Sequence, residues 1–189
     1  YDDENLYVRY RVTTPNELAN AVPDDRIIFR GGNLLDIQVA AGSTADAERE
    51  SPAPGDERLL VTRRDQQPYA VLFRPHVAGF DGERIVLKSP TGQESFDAIE
   101  RVDEVGLAYR STRNGFVATV TIPQSRIGLN LDSGEDLRLD LGYIFGNAGG
   151  TRTEMRAYVF NNSFTANVVD DIPHESRLEP AEWGRAVVE

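Results

Sequence analysis

The chain has 189 residues, no cysteine, and 31 acidic against 20 basic residues, for a formal charge of −11. That length suits one domain with its own hydrophobic core, and the lack of cysteine removes disulfides and thiolate metal sites. The negative charge repels a phosphate backbone and an anionic bilayer, so nucleic acid is not an expected partner, and no apolar run approaches the roughly 20 residues that carry a helix across a membrane.

Alternation of apolar and polar residues dominates, the pattern of half-buried antiparallel strands. Leu6, Val8, Tyr10 and Val12 share one face of a first strand. Because the sequence opens on Tyr1 almost directly in that strand, a further segment upstream is expected. After a Gly31-Gly32 turn, residues 34–39 form a second strand. Residues 42–57, small, acidic and proline-bearing, read as a long solvated loop inside the domain. Residues 58–62 and 69–73 flank a polar turn as a hairpin. Further strands are expected at 84–88, 105–110, 115–122, 137–145, 152–160 and 185–188. Asp81-Gly82, Thr91-Gly92, Asn114-Gly115 and Ser133-Gly134 supply turns. A proline-led helical turn is expected at 123–129, closed by Gly128, and a second at 180–184. Together these describe an all-β, antiparallel β-sandwich formed by one domain over residues 1–189.

Sugar recognition needs a flat apolar surface for the C–H face of a pyranose and planar polar groups for its hydroxyls. Phe29, next to Arg30 and upstream of Asp36, meets that description, with a core or loop anchor as the plainer reading. Asp36 is either a ligand-facing acid or the polar member of an alternating strand. In the segment 152–162, alternation puts Arg152, Glu154, Arg156, Tyr158 and Phe160 on one face and Thr153, Met155, Ala157 and Val159 on the other, with Asn161 following. Such a polar and aromatic face fits a concave sugar-binding surface or a solvated sheet with weak salt bridges. Trp183, the only tryptophan, reads as a plug sealing one end of the sandwich. Calcium takes several carboxylate and carbonyl oxygens; of the acid pairs, Asp170 and Asp171 come first as a metal site, with a turn before Pro173 as the plainer reading. Two distant histidines and no cysteine offer no nucleophile triad, and no motif selects a carboxylate pair, so the chain is expected to be non-catalytic.

Several pieces in order resemble the family-nine carbohydrate-binding modules and the wider DOMON-like group of sugar- and haem-binding sandwiches. They are YDDENLYVRYRV, GGNLLDIQVA, GFVATVTIPQSRIGLNLDSGEDLRLDLGYIF and the closing EWGRAVVE. The resemblance implies a jelly-roll-like sandwich with one or two strands upstream of Tyr1. It also implies a secreted, periplasmic or cell-surface parent protein with neighbouring domains in the same chain, and a glycan or oligosaccharide as the partner. On it Phe29 and Asp36 face the sugar and Arg58 joins the same surface, although Phe stands where the family commonly has Trp, Gly31-Gly32 intervenes, and Asn33 replaces a usual acid. No cofactor is implied apart from structural calcium. The alternatives are a haem-carrying redox module, for which Met155, His76, His174 and Lys88 are the only ligand types, and a structural domain packed against a neighbour. Met155 reads as a core methionine and His76 as a surface residue.

Overall fold

The computed structural model describes residues 1–40, 49–129, 131, 136–162 and 170–187. The expected Ser133-Gly134 turn, residues 42–48 of the expected loop and residue 188 of the last strand lie outside them. In chain order the strands are β1 (Asn5–Thr13), β2 (Leu34–Ala40), β3 (Asp56–Arg64), β4 (Gln67–Arg74), β5 (Ile85–Ser89) and β6 (Gly92–Phe96). They continue with β7 (Ala98–Arg101), β8 (Gly106–Thr112), β9 (Gly115–Pro123), β10 (Asp136–Gly146), β11 (Thr153–Tyr158) and β12 (Gly184–Val187). One short helix, α1, spans Ile172–Ser176, and 3₁₀ turns cover Asp25–Arg30, Gln124–Arg126 and Pro180–Glu182.

The antiparallel β-sandwich expected from alternation is present. A small sheet runs β1-β9-β8, a large one runs β11-β10-β2-β3-β4-β7 with β12 also paired to β10, and β5 and β6 form a separate hairpin. Between the sheets lies one core, built from Val8, Val12, Phe116, Ala118, Val120 and Ile122 on the small sheet. Leu35, Ile37, Val39, Leu59, Val61, Leu72 and Tyr143 complete it from the large sheet. Alternation serves the three strands of the small sheet because that sheet has only one face to bury.

The large sheet buries its second face as well. Leu34, Leu60, Val71, Phe73 and Ile144 pack there against Ile28, Phe29, Leu87, Phe96, Leu178 and Trp183, so β2 is buried along its whole length. Trp183 is 3% exposed, buried as expected, but in this outer layer over the large sheet and not at an end of the sandwich. Its indole N–H donates to Gln38 Oε1 at 3.2 Å, which meets the requirement that a buried ring nitrogen find an acceptor.

Of the elements covering that face, the strand around Leu87 and the turn at 180–184 were expected, and the turn at Asp25–Arg30 and α1 were not. The turn at Asp25–Arg30 is capped by Asp24 and α1 by Asp171, each carboxylate accepting a backbone N–H of the first turn, the ordinary N-cap device. Strands β6 and β7 were also unexpected, since Gly92 to Arg101 carries too many polar residues to alternate cleanly. The reading of 42–57 as loop is corrected at its end. Asp56 and Glu57 belong to β3 and are buried, Asp56 accepting from Arg49 and from the Ala53 N–H. At the β3–β4 hairpin Asp65 and Gln66 both take positive φ, 49° and 66°, which suits the right-handed twist of the flanking strands.

Candidate functional site

The register of the large sheet sets Asp36 opposite Leu60 on one side and Gly142 on the other, with Tyr158 beyond Gly142. Gly142 has no side chain because the Tyr158 ring lies where its Cβ would be. From there the Tyr158 hydroxyl donates to Asp36 Oδ2 at 2.7 Å. On the other side Arg58 grips the same carboxylate with two nitrogens, Nε to Oδ1 at 3.0 Å and Nη2 to Oδ2 at 2.6 Å. Arg58 and Asp36 are 1% and 0% exposed. Removing two such ions from water costs several kcal/mol each, and the forked contact is the geometry that offsets most of it. Arg58 Nη1 donates to the Glu175 carbonyl at 2.8 Å, and its guanidinium stands 5.7 Å from the Phe29 ring centre. Burial works against the Arg58 charge, but Asp36 outweighs it and the guanidinium is held firmly protonated. Burial, reinforced by Asp36, pushes the Tyr158 hydroxyl well above its ordinary range.

A second ion pair sits beside the first. Arg156 Nη2 is 3.1 Å from Glu175 Oε2 and donates to the Phe29 carbonyl at 3.1 Å, which also accepts from Thr153 Oγ1 at 3.0 Å. The charge of Arg156 is the nearest partner of Glu175 Oε2, with Arg30 Nε farther off at 3.9 Å. Burial outweighs the nearby Arg156 and raises the Glu175 carboxyl above its usual value. Next along β10, buried Asp140 accepts the backbone N–H groups of Leu141, Phe160 and Asn161.

Above the Arg156–Glu175 pair a cleft of about 420 Å³ opens to solvent, lined by Val22, Ile27, Arg30, Thr151, Arg152, Thr153, Asp170 and Glu175. Arg30 pairs with Asp170 at its rim and approaches Glu175 Oε2 to 3.9 Å.

The structure thus brings Phe29, Asp36, Arg58, Arg156 and Tyr158 together, but as a covered network. Phe29 is fully buried against Phe73, so it is an anchor and not an open stacking surface. Arg152 does not share the face of Arg156. A bulge between Phe145 and Gly146 in the β10–β11 register turns Thr153 and Arg156 inward and leaves Arg152 and Glu154 outside, 3.5 Å apart and exposed. The strict alternation expected for 152–160 is corrected by that bulge, which shifts the faces by one residue. Met155, expected in the core, is 38% exposed. Asn161 is buried but belongs to the Asp140 group, with its amide donating to Glu179 at 2.9 Å. Asp170 points to Arg30, and Asp171 caps α1 while accepting from the Ser89 and Thr91 hydroxyls. Among the described residues no three His, Cys, Asp or Glu side chains gather as a metal site, so the Asp170 and Asp171 carboxylates have protein partners and no third acid.

Sequence reasoning missed Glu175, Gln38 and Asp140. For Glu175 a signal existed: Asp171 followed by Pro173 is an N-cap with proline in the first turn, which places residue 175 on a helix. Comparison with protein-family models and with curated proteins finds no match for this chain.

Proposed function

We propose that this chain is a non-catalytic carbohydrate-binding domain, with the cleft over Arg156 and Glu175 as its ligand site. The observation that carries the reading is the meeting of Arg30, Arg152, Asp170 and two threonine hydroxyls around an opening of about 420 Å³, with the Arg156–Glu175 ion pair beneath it. Forked guanidinium groups and carboxylates are the partners that adjacent sugar hydroxyls require. The buried Asp36–Arg58 and Arg156–Glu175 pairs stiffen the floor, so the groups above lose little freedom on binding. Because Phe29 is buried and the half-buried Tyr158 is tied to Asp36, the cleft offers hydrogen bonds without a stacking platform, and weak affinity is expected.

The test is calorimetric titration with a panel of neutral oligosaccharides. Saturable heat from at least one of them, weakened by Arg30→Gln and Arg152→Gln, supports the reading. Silence across the panel removes it. Both residues are partly or largely exposed, 33% and 74%, so these variants are expected to fold.

A further inference from the structure

The outward face of the small sheet is where this chain leaves arginines unmatched. Its strands β1, β8 and β9 contain no Asp or Glu, in a chain with 31 acidic residues. Arg9, Arg11 and Arg110 stand exposed on those strands, and Arg113 in the turn joining β8 to β9. Among the described residues these four form no ion pair, side-chain hydrogen bond or ring contact, whereas every other arginine has a partner.

The register sets Arg11 and Arg110 on either side of Val117, two strand spacings or about 9.6 Å apart, with Arg9 about 6.8 Å further along β1. Val117 lies on the outward side of β9 yet keeps 8% exposure, as expected when the aliphatic stems of flanking arginines lie over it. Thr119 and Thr121 continue β9 with short hydroxyl side chains. The face is a shallow trough with arginines along both banks. At its Arg113 end lies a depression of about 500 Å³ lined by Asn16, Ser111, Thr112, Arg113 and Asn114, together with one acid, Glu17, and the Tyr109 ring.

Keeping an edge strand from pairing with another chain asks for a charge of either sign, so edge protection does not explain why an acidic protein uses only arginine here. Like charges within a Debye length repel one another, and an anionic ligand relieves that repulsion.

We propose that this trough binds a linear glycan carrying carboxylates, a polyuronate, laid along β9 between the arginines of β1 and β8. The proposal takes its ligand class from the carbohydrate-binding reading above, at a different site. Arginine forks pair with carboxylates bidentately, and the threonine, serine and asparagine groups match sugar hydroxyls. The strip is only about 14 Å wide, and the negative charge of the rest of the chain repels a nucleic-acid duplex or an anionic bilayer extending past it. Of the rings near it, Tyr7 donates its hydroxyl to Asp2 at 2.6 Å and Tyr109 packs between Phe116 and Arg63, which leaves no row of platforms for stacking bases.

The experiment titrates the whole chain with a galacturonate oligomer, a neutral oligosaccharide found to bind the cleft, a single-stranded oligonucleotide and a polyglutamate of equal charge. Saturable galacturonate binding is expected, weakening as salt is raised. It falls at least about tenfold, or roughly 1.4 kcal/mol, in Arg9→Gln/Arg11→Gln/Arg110→Gln and is unchanged in Arg30→Gln/Arg152→Gln. Circular dichroism checks that the triple variant is folded; if it is not, the three single variants are each expected to weaken binding. Absent galacturonate binding, indifference to the arginine substitutions, or equal binding of the oligonucleotide or polyglutamate overturns the proposal. If the unsubstituted chain binds the neutral sugar in the cleft but no galacturonate, the trough alone is refuted, and the converse refutes the cleft alone.

Discussion

The two outer faces of the sandwich hold arginine under opposite conditions. On the large sheet Arg58 and Arg156 are each 1% exposed, and each meets a carboxylate beneath the cover of α1 and the turn at Asp25–Arg30. On the small sheet Arg9, Arg11 and Arg110 are exposed and their strands contain no acid. Burial leaves no choice, because an unpaired charge away from water is too costly to keep. Exposure does leave one: a surface ion pair contributes little to stability, so the charge there is available for a ligand. Pairing on the first face is therefore a matter of folding, and its lack on the second invites a functional explanation.

The comparison is broken most directly by Asp36→Ala, which strands the Arg58 charge inside the large-sheet face. It is expected to lower stability by about 3–5 kcal/mol, measured by chemical denaturation. A loss of less than about 1 kcal/mol would mean that the buried pair is not what holds this face together. Gly142→Ala comes next. Its new methyl group collides with the Tyr158 ring, and overpacking of this kind costs about 1–3 kcal/mol. The near-UV circular dichroism should change with it, and an unaltered spectrum with unaltered stability would show that the ring rests elsewhere.

The smallest effect is in pH. On the large sheet and in α1 above it, burial raises Glu57, Asp140 and Glu175 above their ordinary values, so the fold disfavours their charged forms. Acidifying from neutral toward 4.5, the ordinary glutamate value, lets them take up protons and relieves that cost. Asp2, at the start of the small sheet, behaves oppositely. The Tyr7 hydroxyl, then the Glu4 and Asn5 N–H groups, hold it at about 2 against an ordinary 3.8. Its contribution is complete above 3.8 and is lost as pH falls through 2. Melting temperature should thus hold or rise from neutral pH toward 4.5 and fall between 3.8 and 2, the lower limb shallower in Asp2→Asn. A steady fall beginning at neutral pH contradicts the assignment for the buried acids.

Much of the frame was legible from alternation. Strands β1, β2, β4 and β9, and the proline-led turns at 123 and 180, fall where the pattern put them, because half-buried strands and N-terminal prolines leave a local imprint. The peripheral β6 and β7, whose polar residues obscure the period, did not stand out. The site was legible as a set of residue types and not as a surface. Asp36, Arg58, Arg156 and Tyr158 do meet, yet nothing near them in sequence announces that α1 and the turn at Asp25–Arg30 will cover them. A single bulge opposite Gly146 was enough to send Arg152 to the other side of its strand.

The amino-acid sequence by itself determined the two-residue period that makes a sandwich, the turns that punctuate it, and the lack of any acid in the three strands of the small sheet. Only the tertiary structure decided which charges meet. Arg58 finds Asp36 across 22 positions and the Glu175 carbonyl across 117, and Tyr158 reaches Asp36 across 122. Such pairs exist only after strands align, and a slip of one residue would turn each of these side chains to the opposite face.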